Sequence, residues 1–143
     1  MAQQLSVFLE NTPGRLKQLT NSLGEQEINM HALFVADTSD FGVARIICDR
    51  TEDAVTVLRD AGFSVTTTEV LAVEIPDRPG SLGELFAAIA DAGMDISYTY
   101  CLVEPATKKA VNFCRLKSPQ VQATEVIEAA GFRVLGDSVF HGV

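Results

Sequence analysis

The chain has no tryptophan, only two histidines and only three cysteines in 143 residues. His31 and His141 cannot build a histidine-based metal site, and Cys48, Cys101 and Cys114 form no CxxC pair. No metal and no cofactor is expected on these grounds. An odd set of cysteines in apolar, strand-like runs suits buried free thiols in a reducing compartment, which points to the cytoplasm. Long apolar runs are missing as well. Charge interrupts each of them within about ten residues, against the roughly 20 that cross a bilayer. Met1-Ala2-Gln3-Gln4 has no cationic stretch leading into an apolar one and does not read as a signal peptide. Basic residues are the minority, 11 against 19 acidic, for a net charge of −8. Such a surface repels phosphate backbones, so nucleic acid is not expected as a partner, and the short apolar runs leave no membrane expected either. No Gly-x-Ser-x-Gly elbow, phosphate-binding loop or histidine cluster occurs, so no catalytic residue is assigned and the chain does not read as an enzyme.

What is present is a core-forming composition, 47% hydrophobic and 21% charged, arranged as a repeat. Asn11-Thr12-Pro13-Gly14-Arg15-Leu16 returns as Asp77-Arg78-Pro79-Gly80-Ser81-Leu82. The same spacing relates Leu19 to Leu85, Leu23 to Ile89 and Asn29-Met30 to Asp95-Ile96. Ala61-Gly62-Phe63-Ser64-Val65 returns as Ala130-Gly131-Phe132-Arg133-Val134, after a short insertion near Thr107. An ordered series of matches of this kind means duplication. The expected domains are residues 1–69 and 70–143.

Each copy reads strand, helix, strand, strand, helix, strand. In the first, Leu5 to Leu9 is a strand, Pro13-Gly14 opens a helix with a Leu16, Leu19, Leu23 stripe, and Asn29 to Asp37 and Val43 to Cys48 are strands. Thr51 is the expected cap of a short helix with Ala54, Val57, Leu58 and Ala61 inward, ended by Gly62. In the second copy, Leu82, Leu85, Phe86 and Ile89 form the first stripe, and Ser118 is the expected cap of a helix with Pro119 at its first position and Ala123, Val126, Ile127 and Ala130 inward. Phe63 to Ile75 holds no Gly or Pro, so the last strand of one copy runs into the first strand of the next. The fold class is α+β, two ferredoxin-like βαββαβ sandwiches in tandem, each an antiparallel sheet with helices on one face.

A βαββαβ unit with Asn/Asp-x-Pro-Gly-x-Leu between its first strand and first helix resembles an ACT domain. The second copy carries the full pattern, from Asp77 to Leu82 and then Ala92-Gly93-Met94-Asp95-Ile96; the first has Glu27 where the family has glycine. The resemblance spans nearly the whole chain, which looks like the stand-alone bacterial tandem ACT proteins that carry no enzyme domain. It implies a regulatory protein that binds a small ligand, an amino acid above all, at the interface of two ACT units. Carried over, one candidate site joins Asn11, Pro13, Gly14, Arg15 and Leu16 with Asp95 and Ile96. The other joins Asp77, Pro79, Gly80, Ser81 and Leu82 with Asn29 and Met30. A homodimer is expected, and docking on a metabolic enzyme as an accessory subunit is the alternative role.

The loops suit such a ligand chemically. A helix N-terminus presents unpaired N–H groups to a carboxylate, here those of Gly14, Arg15 and Leu16 and of Gly80, Ser81 and Leu82, and the two glycines lack the Cβ that would block close approach. Asn11 or Asp77 can accept a hydrogen bond from an ammonium. Leu16, Met30, Leu82 and Ile96 offer an apolar wall to a branched, thioether or aromatic side chain. Pattern favours the Asp77 loop, and electrostatics favours the Asn11 loop, which sets no negative charge beside a carboxylate. Pro-Gly after a strand is also a common way to start a helix with no ligand at all. His31, Tyr98, Tyr100, Arg45 and the Lys108-Lys109 turn read as surface or packing residues.

Overall fold

A computed structural model describes residues 2–10, 12–37, 41–104 and 109–140. The elements run β1 (Ala2–Glu10), α1 (Arg15–Glu25), β2 (Met30–Asp37), β3 (Phe41–Cys48), α2 (Thr51–Asp60) and β4 (Ser64–Pro76). They continue with α3 (Ser81–Asp91), β5 (Ile96–Glu104), β6 (Lys109–Leu116), α4 (Gln120–Ala129), β7 (Arg133–Leu135) and a 3-10 turn, Asp137–Val139. The α+β, twice βαββαβ architecture is the one expected. Contacts divide the chain between Thr68 and Glu69, inside β4, and Ser138 to Phe140 group with the first copy.

In the first unit the strand order is β2-β3-β1-β4, with β3 antiparallel to both β1 and β2. Alternation along the strands sends Leu5, Val7 and Leu9 of β1 and Ala44, Ile46 and Cys48 of β3 to the helix side. There they bury Leu19 and Leu23 of α1 and Ala54 and Leu58 of α2. In the second unit the order is β5-β6-β4, with β7 on the other side of β4. Leu71, Val73 and Ile75 pack with Leu85, Ile89, Ala123 and Ile127.

Several helix details depart from the expected pattern. Leu16 and Leu82 are 43% and 36% exposed, because the first turn of each helix lies beyond the buried stripe that starts at Leu19 and Leu85. Ala130 is exposed beyond the last turn of α4. Thr51 is the first residue of α2 and is itself buried, with Arg50 in the cap position; Pro119 takes the cap position of α4 one residue before the helix. Of the three thiols, Cys48 and Cys114 are buried, but Cys101 on β5 is exposed.

The duplication extends to irregularities that sequence does not announce. His31 and Ser97 are each the extra residue of a bulge, between Met30 and Ala32 and between Ile96 and Tyr98. The turn after the first helix also repeats. Gly93 has φ 73°, and Glu27 takes the same left-handed conformation at φ 56°. Ile28 N–H bonds the Leu23 carbonyl as Met94 N–H bonds that of Ile89, at 3.0 and 3.2 Å. The first copy therefore keeps the loop without its glycine, at a backbone cost of about 1–2 kcal/mol for an L-residue in that region.

Candidate functional site

Both first strands enter their helices through one kind of turn. Arg15 N–H bonds the Thr12 carbonyl at 3.5 Å and Ser81 N–H that of Arg78 at 3.3 Å, while Gly14 and Gly80 have φ of 89° and 91°. Proline second and a left-handed glycine third make a type II turn. The backbone requires glycine here through its positive φ, and a Cβ on either would meet no described protein atom within 4 Å. The helices begin just after the pair, at Arg15 and Ser81, whose N–H groups the turn already engages. The N–H groups of Leu16 and Leu82 have no partner among the described residues.

In the first copy the turn roofs a pocket of about 260 Å³ lined by Leu9, Glu10, Thr12, Arg15, Leu16, Val35 and Gly42. Leu9, Val35 and Gly42 come from three adjacent strands: Gly42 pairs with Leu9, and Ala44, two residues on, pairs with Val35. The floor is therefore sheet and the roof is the first turn of α1. Leu16 and Val35, 43% and 41% exposed, flank the mouth. Two opposite charges share the lining, and no ion pair among the described residues joins Glu10 to Arg15. Arg15 is held from behind. Its guanidinium lies over the Phe63 ring at 4.1 Å and Nη1 donates to Gln18 Oε1 at 2.7 Å, while Nε is buried with no hydrogen-bond partner among the described residues.

The equivalent positions of the second copy carry different chemistry. Ser81 replaces Arg15, Pro76 replaces Glu10, Cys101 replaces Val35 and Ala110 replaces Gly42, as repeat and register agree. Asp77, Pro79 and Gly80 are exposed, and Arg78 is committed to Glu84 through bonds of 3.4 and 3.2 Å. Ser81 is 2% exposed and its Oγ has no partner among the described residues. Deeper on the helix side of this sheet, Asn112, 1% exposed, donates through Nδ2 to Thr99 Oγ at 2.8 Å and to Cys101 Sγ at 3.2 Å. The Thr99 hydroxyl also reaches the Phe113 carbonyl at 3.0 Å. Burial pushes the neighbouring Cys114 thiol up to about 11, against the opposing Thr99 hydrogen bond.

Of the residues expected from sequence, Arg15 and Leu16 line the pocket and Pro13 and Gly14 shape its roof; Asn11 lies outside the described residues. Asn29 and Met30 stand at the far end of β2 from Val35, about 16 Å along the strand for Met30 at 3.3 Å per residue. Within their own unit they do not line the pocket: Asn29 N–H donates to Asp49 Oδ1 at 3.1 Å and Met30 packs on the core. In the second unit the Asp95 carbonyl accepts from Lys117 N–H at 3.0 Å, and Ile96 packs on its core. Leu9, Glu10, Val35 and Gly42 were not expected. Gly42 escaped notice because the third strand reads as starting at Val43, whereas β3 starts at Phe41 and takes Gly42 in.

The residues read as packing or surface fall in ordered places. His31 Nε2 donates to the Phe140 carbonyl at 2.9 Å, Tyr100 stacks on Phe113 with ring centroids 5.1 Å apart, and Arg45 is half-buried with Nη1 on Ser6 Oγ at 3.2 Å. Lys109 pairs with Glu74 at 2.9 Å.

Two βαββαβ units, each opening its first helix on a Pro-Gly turn, define a tandem ferredoxin-like protein with a small-molecule-sized pocket under one of those turns. The chain belongs to the ACT domain pair family, which matches residues 1–138. Its structure is similar to that of protein BT0572 from Bacteroides thetaiotaomicron, with 31% identity, a TM-score of 0.92, and coverage of 99% of this chain and 96% of that one. The fold is also that of the regulatory subunits of aspartate kinase from Thermus thermophilus and Thermus flavus. These have TM-scores of 0.67 and 0.65 at 15% and 17% identity, over 90% of this chain and 89% of each subunit. None of the curated proteins matches the sequence. The ACT domain is a regulatory fold rather than a catalytic one. No helix among the described residues is long and apolar enough to cross a membrane.

Proposed function

We propose that the chain is a regulatory protein that binds a free amino acid in the first copy's pocket. The observation that carries this reading is the lining itself, an arginine and a glutamate around an apolar floor of Leu9, Val35 and Gly42. A zwitterion presents the complementary charges. Its carboxylate takes the Arg15 guanidinium and the uncommitted Leu16 N–H, at the positive end of α1. Its ammonium takes Glu10, with Thr12 beside it, and its side chain takes the floor. At about 260 Å³ the pocket falls below the roughly 300–1,000 Å³ typical of drug-sized sites, which suits a single small metabolite. The second loop, with Ser81 and Pro76 at the charged positions, is the weaker of the two for this ligand.

A second copy of the chain is the expected partner, in the cytoplasm. Strands β2 and β5 end the strand order of their units and expose Leu33, Phe34 and Val35, and Leu102 and Val103. Apolar edges of this kind favour pairing with another chain. A thermal-shift panel of the twenty amino acids tests the ligand: at 100 times its dissociation constant a true ligand adds about 2.7 kcal/mol of stability. A chain that responds to none of them and co-purifies with a metabolic enzyme is instead an accessory subunit without a ligand of its own.

A further inference from the structure

We infer that Gly42 is the specificity-determining residue of the first copy's pocket, its missing side chain making room for an apolar ligand side chain of three or more carbons. This rests on the amino-acid reading above and adds what sets the ligand's size. Glycine weakens a strand interior and is kept where another group must come close to the backbone. The backbone does not demand it here, because Gly42 is absent from the residues with positive φ. An added Cβ would stand 3.5 Å from the Ala36 carbonyl oxygen, 3.7 Å from Leu9 Cβ and 3.8 Å from Val35 Cγ1, all ordinary contacts.

The second copy shows the substitution in place. Ala110 holds the same register, opposite Ile75 and Val103 as Gly42 is opposite Leu9 and Asp37, and it is 4% exposed within an intact core. Alanine is therefore compatible with this corner of the fold. Two of the three atoms nearest the added methyl belong to Leu9 and Val35, which form the pocket floor with Gly42. The methyl would occupy the floor between them, where the end of a ligand side chain rests. A pocket shortened in this way discriminates by size, and one methylene in an apolar pocket is worth about tenfold or more in affinity.

The test is calorimetric titration of the unaltered chain and of G42A with L-valine, L-leucine, L-isoleucine, L-methionine and L-phenylalanine, with the unfolding midpoint of both chains. The expected result is binding of at least one of the five to the unaltered chain. G42A then binds that ligand about tenfold more weakly or worse, with a midpoint equal to or above the parent's. Equal affinity in the two chains overturns this inference and leaves the amino-acid reading standing. Failure of the unaltered chain to bind any of the five overturns the inference, and failure with all twenty overturns the reading beneath it. A G42A chain that does not fold also overturns the inference, since glycine would then be a structural requirement.

Discussion

Replacing Arg15 with methionine separates a ligand-binding arginine from a merely structural one. In the structure Arg15 gains a cation–π contact with Phe63 at 4.1 Å and an exposed hydrogen bond to Gln18. The first is worth about 0.5–1 kcal/mol and the second about 0.5 kcal/mol. Against these stands the buried, unpartnered Nε–H, which costs about 1–3 kcal/mol. Methionine keeps an apolar stem over Phe63 and removes the orphan donor. The stability of R15M is therefore expected within about 1 kcal/mol of the parent, a shift of a few degrees in unfolding midpoint. Ligand affinity behaves differently. A hydrogen bond from a charged donor contributes about 1.5–3 kcal/mol, so R15M should bind its amino acid about ten- to a hundredfold more weakly. Chemical unfolding and calorimetry on the same preparations give both numbers. A variant that loses more than about 2 kcal/mol of stability while binding as tightly as the parent would refute the reasoning.

Glu27→Gly relieves the only positive-φ non-glycine residue among those described and is expected to stabilise the chain by about 0.5–1 kcal/mol in urea unfolding; a destabilised variant contradicts it. Asn112→Ala breaks the buried Thr99 and Cys101 contacts and should cost about 2–3 kcal/mol. Thr99→Leu with Asn112→Ala rebuilds the first copy's Leu33 and Ala44 pair and should recover at least about 1 kcal/mol of that; strict additivity in the double-mutant cycle would count against the network. Burial holds the Cys114 thiol at about 11 in the folded chain, above the ordinary 9.0. Its contribution is fully present below pH 9 and is lost as pH rises towards 11, at most about 2–3 kcal/mol. C114A should flatten that part of the stability profile, and an unchanged alkaline slope contradicts it.

Most of the fold was legible because the duplication prints its pattern twice. Apolar spacing at Leu19 and Leu23 and again at Leu85 and Ile89 fixed both first helices, and Pro-Gly fixed the turns before them. What was misread lies at element ends. Thr51 and Ser118 are plausible caps by residue type, yet Arg50 and Pro119 hold those positions. Leu16 and Leu82 fit the helical stripe, but the first turn projects past the buried part of the sheet, which turns Leu16 into a pocket wall. The bulges at His31 and Ser97 carry no glycine or proline to mark them. The pocket floor was hidden for a different reason. Leu9, Val35 and Gly42 meet only through the β1–β3 and β2–β3 registers, long-range pairings that local patterns do not encode. Asn112 sits in an apolar run whose parity, shared with Ala110 and Cys114, points it inward.

The most direct test is the stoichiometry of amino-acid binding, measured by titration calorimetry on the intact chain. One site per chain is expected, weakened by R15M and left in place by Ser81→Ala. Two equal sites per chain, or a single site that Ser81→Ala removes and R15M does not, would contradict the assignment of the ligand to the pocket beneath Pro13-Gly14.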